Sequence, residues 1–77
     1  NSKQSAELQK EIRRLEKEKA AMQKRKAELD RLFAKMYEDW AAGRITEYNF
    51  NMLSQKYQSE QQSLTEQIET LKAQLTA

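Results

Sequence analysis

The side chains that could do chemistry in this sequence are twelve Asp or Glu, fourteen Lys or Arg and six aromatic residues. Cysteine and histidine are absent. This excludes disulfides, zinc sites built from Cys and His, thiol nucleophiles and imidazole acid–base catalysis. The carboxylates are spread along expected solvent faces with no concave pocket to perturb them, so catalysis is the least favoured class of function. We expect a non-enzymatic chain with no cofactor and no metal ion.

The charges are divided unevenly between the two halves of the chain. Residues 1–41 carry eleven Lys or Arg against eight Asp or Glu, a net charge of +3, whereas residues 45–77 carry two against four, a net charge of −2. Oppositely charged halves are expected when the halves lie against each other. The cluster Lys24, Arg25 and Lys26 could contact nucleic acid or form an ordinary solvated helix face. The solvated face is favoured, because three charges interleaved with carboxylates make a weak field.

Long helices must position these side chains, because the chain has one glycine and no proline and 34% of its residues are charged. No apolar run approaches the roughly 20 residues that would span a bilayer, and no signal-like segment precedes the helical pattern. We expect a soluble cytoplasmic protein that does not contact a membrane.

Two heptad seams, with alternating steps of four and three residues, predict that these helices pack as a coiled coil. The first seam consists of Leu8, Ile12, Leu15, Lys19, Met22, Lys26, Leu29, Phe33, Met36 and Trp40. The second seam consists of Phe50, Ser54, Tyr57, Gln61, Leu64, Ile68, Leu71 and Leu75. The sequence predicts an all-α, antiparallel two-helix hairpin over residues 1–77, with helices at about 3–42 and 47–76 and a turn at 43–46.

The turn has its own sequence signals. Gly43 suits the position after a helix end, where a left-handed backbone penalises any side chain. Thr46 is a good N-cap for the second helix, and Ile45 and Phe50 occupy the positions of a hydrophobic staple. The first helix is therefore expected to stop, and the second to start, within a few residues.

Folding back at this turn predicts a register in which the numbers of facing seam residues sum to 90, so that every a position meets a d position. Trp40 then faces Phe50, and Leu15 faces Leu75. Beside the seam, Leu32 faces Leu53. The same register predicts two exposed ion pairs between the helices, Arg25 with Glu60 and Glu16 with Lys72. Leu8 and Ile12 are expected to protrude beyond the shorter second helix.

Large residues near the turn form two groups. Phe33, Trp40, Phe50 and Tyr57 lie on the seams, so burial inside the hairpin is favoured for them, with Trp40 also a candidate contact at the tip. Tyr37, Tyr48 and Met52 lie off the seams. Aromatic and methionine side chains on a rigid exposed surface are frequent anchors of reversible interfaces. Both a partner contact and local packing over the turn stay open for these residues.

The run from Leu29 to Leu75 resembles the coiled-coil segment of large serine recombinases, the resolvase/invertase-type integrases and transposases of mobile elements. The likeness centres on the turn and covers about two-thirds of the chain. The matching positions are Leu32, Tyr37, Asp39, Gly43, Arg44, Ile45, Phe50, Leu53, Tyr57, Glu60, Leu64, Ile68 and Leu71. Trp40 departs from the small or polar residue expected at its position.

The resemblance implies a non-catalytic fragment of a bacterial or phage-encoded DNA recombinase. Such a hairpin projects from a zinc ribbon and contacts hairpins on other subunits, or an accessory directionality factor, to control synapsis of DNA sites and the direction of integration. It implies self-association and no direct DNA contact. Two alternatives remain: a generic structural spacer or dimerisation module, and a nucleic-acid-binding arm whose affinity would depend on salt through Lys17, Lys24, Arg25 and Arg31.

Overall fold

A computed structural model describes residues 2–77 as two helices, α1 at Ser2–Ala41 and α2 at Glu47–Thr76. The helices pack against each other in antiparallel directions, and the hairpin measures 63 × 15 × 14 Å. No strand occurs within residues 2–77. The predicted all-α hairpin is therefore confirmed, and each helix begins and ends within one residue of the bounds expected from the sequence.

Helix α1 ends in a Schellman motif. The Gly43 amide donates to the Trp40 carbonyl at 3.0 Å, and the Arg44 amide donates to the Asp39 carbonyl at 2.8 Å. Gly43 has a φ of 78°, in the left-handed region that this motif requires. The two bonds satisfy carbonyls that the helix end would otherwise leave without partners. They also turn the chain sharply away from the axis of α1.

Helix α2 begins at a capped end a few residues later. Thr46 has an extended backbone, and its hydroxyl accepts a hydrogen bond from the Asn49 amide at 3.1 Å. The Thr46 carbonyl accepts the first helical bond, from the Phe50 amide at 2.9 Å. Glu47 in the first turn adds a favourable negative charge at the positive end of the helix dipole. Ile45 and Phe50, the residues of the predicted staple, are both partly buried.

The core is a single line of apolar side chains between the helices. Its buried members are Leu29, Met36, Leu64, Ile68 and Leu71. The partly buried members of the predicted seams include Leu15, Met22, Phe33, Tyr57 and Leu75. The accessible surface is 6125 Å², whereas a compact protein of this mass would expose about 4,900 Å². The hairpin therefore has a thin core and an unusually large surface.

The register is visible in three cross-helix contacts. The Trp40 and Phe50 rings stack at the tip. The Arg25 guanidinium donates to the Glu60 carboxylate through Nε at 2.7 Å and through Nη2 at 3.1 Å, as the register predicted. Gln61 Nε2 donates to Asp30 Oδ1 at 3.0 Å. The facing positions therefore match the predicted alignment along the half of the hairpin nearest the turn.

The predicted ion pair between Glu16 and Lys72 is wrong. The Lys72 ammonium lies 3.4 Å from the Glu69 carboxylate, one turn earlier in α2. Both side chains are largely exposed, and an intrahelical pair three residues apart needs less ordering of the long lysine side chain than a pair across the helices. The open end of the hairpin is therefore held by apolar contact without this ion pair.

Gly43 allows a direct test of the turn. A Cβ atom placed there would meet nothing within 4 Å, so its requirement for glycine is conformational. We expect Gly43→Ala to lower the free energy of unfolding by about 1 kcal/mol, because alanine resists a positive φ. Gly43→Asn should lose less, since asparagine tolerates this conformation. Urea unfolding followed by circular dichroism measures both, and an alanine variant as stable as the wild type would contradict the assignment.

Ser54 is a polar defect in the seam. Its hydroxyl oxygen is shielded from solvent and has no hydrogen-bond partner, whereas the hydroxyls of Thr65 and Thr70 donate to carbonyls four residues earlier. The register places Ser54 opposite the buried Met36. An unsatisfied buried hydroxyl destabilises the fold because it loses its hydration without compensation.

Replacing Ser54 with alanine should therefore raise the free energy of unfolding by about 1 kcal/mol. The matched control is Ser59→Ala at an exposed position of α2, which gains only the difference in helix propensity, about 0.5 kcal/mol or less. Urea unfolding measures both variants. Equal increases in the free energy of unfolding would show that burial of the Ser54 hydroxyl does not destabilise the fold.

Candidate functional site

Three aromatic rings pack beneath the tip of the hairpin. Trp40 and Phe50 have ring centroids 4.5 Å apart and planes inclined by 20°. Phe33 lies one heptad below Trp40, with its centroid 6.3 Å from that of Phe50 and a tilt of 49°. All three side chains are partly buried. They form the internal group that the seams predicted and join the last turn of α1 to the first turn of α2.

A second set of large side chains at the tip is exposed. The exposed fractions are 76% for Tyr48, 53% for Tyr37 and 52% for Met52. Tyr37 contacts Trp40, with centroids 5.9 Å apart and planes inclined by 56°. We name Tyr37, Trp40, Tyr48 and Met52 the tip set, in which Trp40 is the partly buried member. About half of Tyr37 and of Met52 and about three-quarters of Tyr48 remain exposed, so each has surface free to contact a partner.

Asp39 links the two ends of the turn electrostatically. Its carboxylate lies 3.1 Å from the Arg44 guanidinium and 3.7 Å from the Lys35 ammonium. Asp39 and Arg44 are the same two residues whose backbones close the Schellman motif. A hydrophobic contact often accompanies that motif at these positions. In this hairpin an ion pair takes the place of that hydrophobic contact. Asp39 and Arg44 are therefore linked both by a backbone hydrogen bond and by their side chains.

An open apolar groove runs along one side of the hairpin next to the turn. Its apolar lining consists of Leu32, Met36, Ile45, Leu53 and Tyr57. Lys35 and Asp39 border it. Leu32 is 43% exposed, although Leu53 on the other helix is partly buried. The predicted pairing of Leu32 with Leu53 therefore widens the seam and leaves part of it open.

At the other end of the hairpin, the start of α1 extends past the end of α2. Leu8 is 59% exposed and Ile12 is partly buried. These apolar residues continue the seam where the register provides no residue of α2 to cover them. The open end is thus a second apolar surface, separated from the tip set by most of the length of the hairpin.

Electrostatic effects on the charged groups are concentrated in two arginine clusters. The hydrogen bonds from Arg25 lower the pKa of Glu60, and the same bonds raise the pKa of Arg25. On α1, hydrogen bonding from Arg14 lowers the pKa of Glu11. Arg14, Glu11 and Arg25 are exposed and Glu60 is partly exposed, so these pairs fix geometry more than they stabilise the fold.

Two features of the tip were not inferred from the sequence. One is the Asp39–Arg44 ion pair. The sequence signal that could have predicted it is an acid and a base at the two positions that a Schellman motif brings together. The other is the open groove beside Leu32. Met36 and Tyr57 belong to the predicted seams, Leu32 and Leu53 lie beside them, and Ile45 belongs to the predicted staple; only the spatial separation of the helices shows that these residues are incompletely covered.

Within residues 2–77 no group of three or more Asp or Glu is arranged to hold a metal ion. Neither helix, over the same residues, is long and apolar enough to cross a membrane. The chain is thus a capped antiparallel helical hairpin with an aromatic tip. No protein-family model, curated protein or solved structure matches it.

The Arg25–Glu60 pair predicts how stability depends on pH. The pKa of Glu60 is lower in the folded state, so its contribution is present above the unfolded pKa, about 4.3, and is lost as the pH falls through the folded pKa. Glu60→Gln should therefore lower the melting temperature at neutral pH and make its decline between about pH 5 and 3 shallower.

Glu38→Gln is the matched control, because the Glu38 side chain is exposed and makes no ion pair among the described residues. It should retain the pH dependence of the wild type. The same decline in the wild type and in Glu60→Gln would contradict a role for this pair.

Proposed function

We propose that this hairpin is a protein-contact arm whose tip set binds another protein. The observation that carries the proposal is the exposure of Tyr37, Tyr48 and Met52 at the apex, on helix faces that do not enter the core. Tyrosine provides a large contact area with few rotatable bonds, and methionine adapts its shape to a partner surface. Together they are suited to a reversible interface.

The rigidity of the tip supports the same proposal. The Schellman motif, the Thr46 cap and the Asp39–Arg44 ion pair fix the backbone on both sides of Tyr48. A binding surface that is already ordered loses less conformational entropy when a partner docks. The stacked Trp40 and Phe50 rings lie directly beneath the tip and connect it to the core.

A second copy of the hairpin is the partner that we propose first. The core is one side chain wide and the exposed area exceeds that of a compact protein of equal mass by about a quarter. Chains with so thin a core commonly gain stability by association. Pairing of tips would bury aromatic surface on both copies and leave the arms free to project.

For the parent protein we propose a large serine recombinase. The support is the resemblance of the turn residues, which include Gly43, Arg44 and Ile45, and the location of those residues at the tip. In that setting the hairpin would contact other recombinase subunits, or a directionality factor, and control synapsis and the direction of integration. The full-length coding sequence tests this, because it should contain a resolvase-type catalytic domain and a four-cysteine zinc ribbon.

Sedimentation equilibrium across the micromolar range tests association through the tip. The wild-type chain should show a weight-average mass that rises with concentration, whereas Y37S/Y48S/M52S should stay monomeric because it lacks the apolar anchors. We expect a loss of affinity of at least tenfold, corresponding to about 1.4 kcal/mol or more. Circular dichroism checks that the variant remains helical.

The matched control is L8S/I12S, which removes two apolar side chains from the open end and leaves the tip unchanged. It should associate as the wild type does. If only L8S/I12S lost association, the contact between copies would lie at the open end and the proposed role of the tip set would be wrong. A wild-type chain that is strictly monomeric, alone and within its full-length protein, would overturn self-association and favour a spacer.

A further inference from the structure

Five basic residues recur at every seventh position along α1. We name this set the α1 spine; its members are Lys3, Lys10, Lys17, Lys24 and Arg31. A heptad interval keeps them on one line, and their heptad position is the one that faces away from the seam and from α2. All five are exposed. At 1.5 Å per residue, neighbours are about 10.5 Å apart and the line is about 42 Å long.

The spine cations differ from three of the four other arginines of the hairpin in having no carboxylate partner. Arg14, Arg25 and Arg44 each lie in an ion pair. Among residues 2–77, none of the five spine side chains forms one. The residues one turn before and after Lys17 are Arg13, Arg14, Ala20 and Ala21, with no acid among them. Lys17 therefore has no acid one turn away. Glu7 lies one turn from Lys3 and Lys10, and Glu28 lies one turn from Lys24 and Arg31, but Glu28 pairs with Arg25 and neither glutamate forms a salt bridge with the spine among residues 2–77.

Alanines predominate on one side of the spine, whereas the other side carries mostly charged residues, Glu7, Arg14, Glu28 and Lys35. Ala20, Ala27 and Ala34 follow it at the same heptad interval, three residues after a spine cation in each case. Glu66 is exposed on α2, and Glu69 borders a groove between the helices that Lys26 and Ala27 also line. The spine thus presents a line of cations on one face of α1, bordered on one side mainly by alanines.

We propose that the α1 spine is a docking surface for the phosphate backbone of double-stranded nucleic acid. A duplex carries one negative charge per about 1.7 Å of axis, so every spine cation finds phosphates without an exact match of spacing. The line of about 42 Å spans about 12 base pairs at 3.4 Å each. Release of counterions drives such binding, so it needs no apolar contact area.

An acidic partner helix fits these observations less well. Stable helix pairing buries apolar side chains beside the charged positions, as the seam of this hairpin does. The alanines beside the spine offer little apolar area to bury. Contact with phosphates needs positive charge but no apolar contact area, and the spine provides charge with little apolar area.

The structure also separates the basic cluster that the sequence showed at Lys24, Arg25 and Lys26. Arg25 is bonded to Glu60, and Lys26 is partly buried in the seam. Lys24 alone remains on the outer face, where it aligns with Lys17 and Arg31. The basic surface is therefore a line along α1 and not a local patch at residues 24–26. It does not overlap the tip set, which stays free to bind a second protein.

Fluorescence anisotropy with a labelled DNA duplex of about 24 base pairs, twice the length of the spine, tests the proposal at low salt. If all five cations contact phosphate, log K should fall against log salt concentration with a slope of about −4.5. The variant K17Q/K24Q should bind at least tenfold more weakly, and its slope should be shallower by about 1.8.

The control variant K56Q/K72Q removes the same charge from α2 and should bind as the wild type does. Equal weakening in the two variants would show a response to net charge alone and overturn the proposal. Absence of binding by the wild type at low salt would also overturn it, as would competition by poly-glutamate as effective as that by unlabelled duplex. Because neither variant alters the tip, failure here leaves self-association to be judged by sedimentation.

Discussion

The register between α1 and α2 is the constraint on which the rest of the hairpin depends. Each residue advances a helix by 100°, so a slip of one position would turn Leu29 and Ile68 out of the seam. At the tip the alignment is held by the Schellman motif, the Thr46 cap and the stacked Trp40 and Phe50 rings. Farther along, the two hydrogen bonds between Arg25 and Glu60 hold it again.

A fixed tip explains why residues of similar chemistry end in different environments. Trp40 and Phe50 face each other across the seam and share the first layer of the core, whereas Tyr48, two positions before Phe50, lies on another face of α2. The backbone of the turn leaves no freedom to bring Tyr48 inward. The same geometry that completes the core therefore creates the exposed aromatic surface at the apex.

The basic residues, like the aromatic ones, end in different environments: some form ion pairs and others do not. Arginines next to the seam or the turn reach carboxylates across the hairpin or along their own helix, as Arg25 and Arg44 do. Spine cations point away from α2 and form no ion pair among residues 2–77. Two surfaces result, an aromatic one at the tip and a basic one along α1, and their separation allows both to be occupied at once.

The sequence by itself determined the helices, the turn and the alignment of the seams. Those features depend on local signals and on periodicity: Gly43 and Thr46 specify ends, and apolar residues at steps of four and three specify one face. It also separated the aromatic residues on the seam from those beside it. Each of these properties can be read from residue type and spacing alone.

Only the tertiary structure decided how much of each side chain stays exposed and which charges are neutralised. Sequence spacing gives the direction of a side chain but not the distance between two helices, so the open groove at Leu32 and the lone hydroxyl of Ser54 were not foreseen. Long charged side chains choose among several partners in reach, which is why Lys72 bonds Glu69 rather than Glu16. Those choices depend on three-dimensional distance and on the entropy of ordering flexible chains.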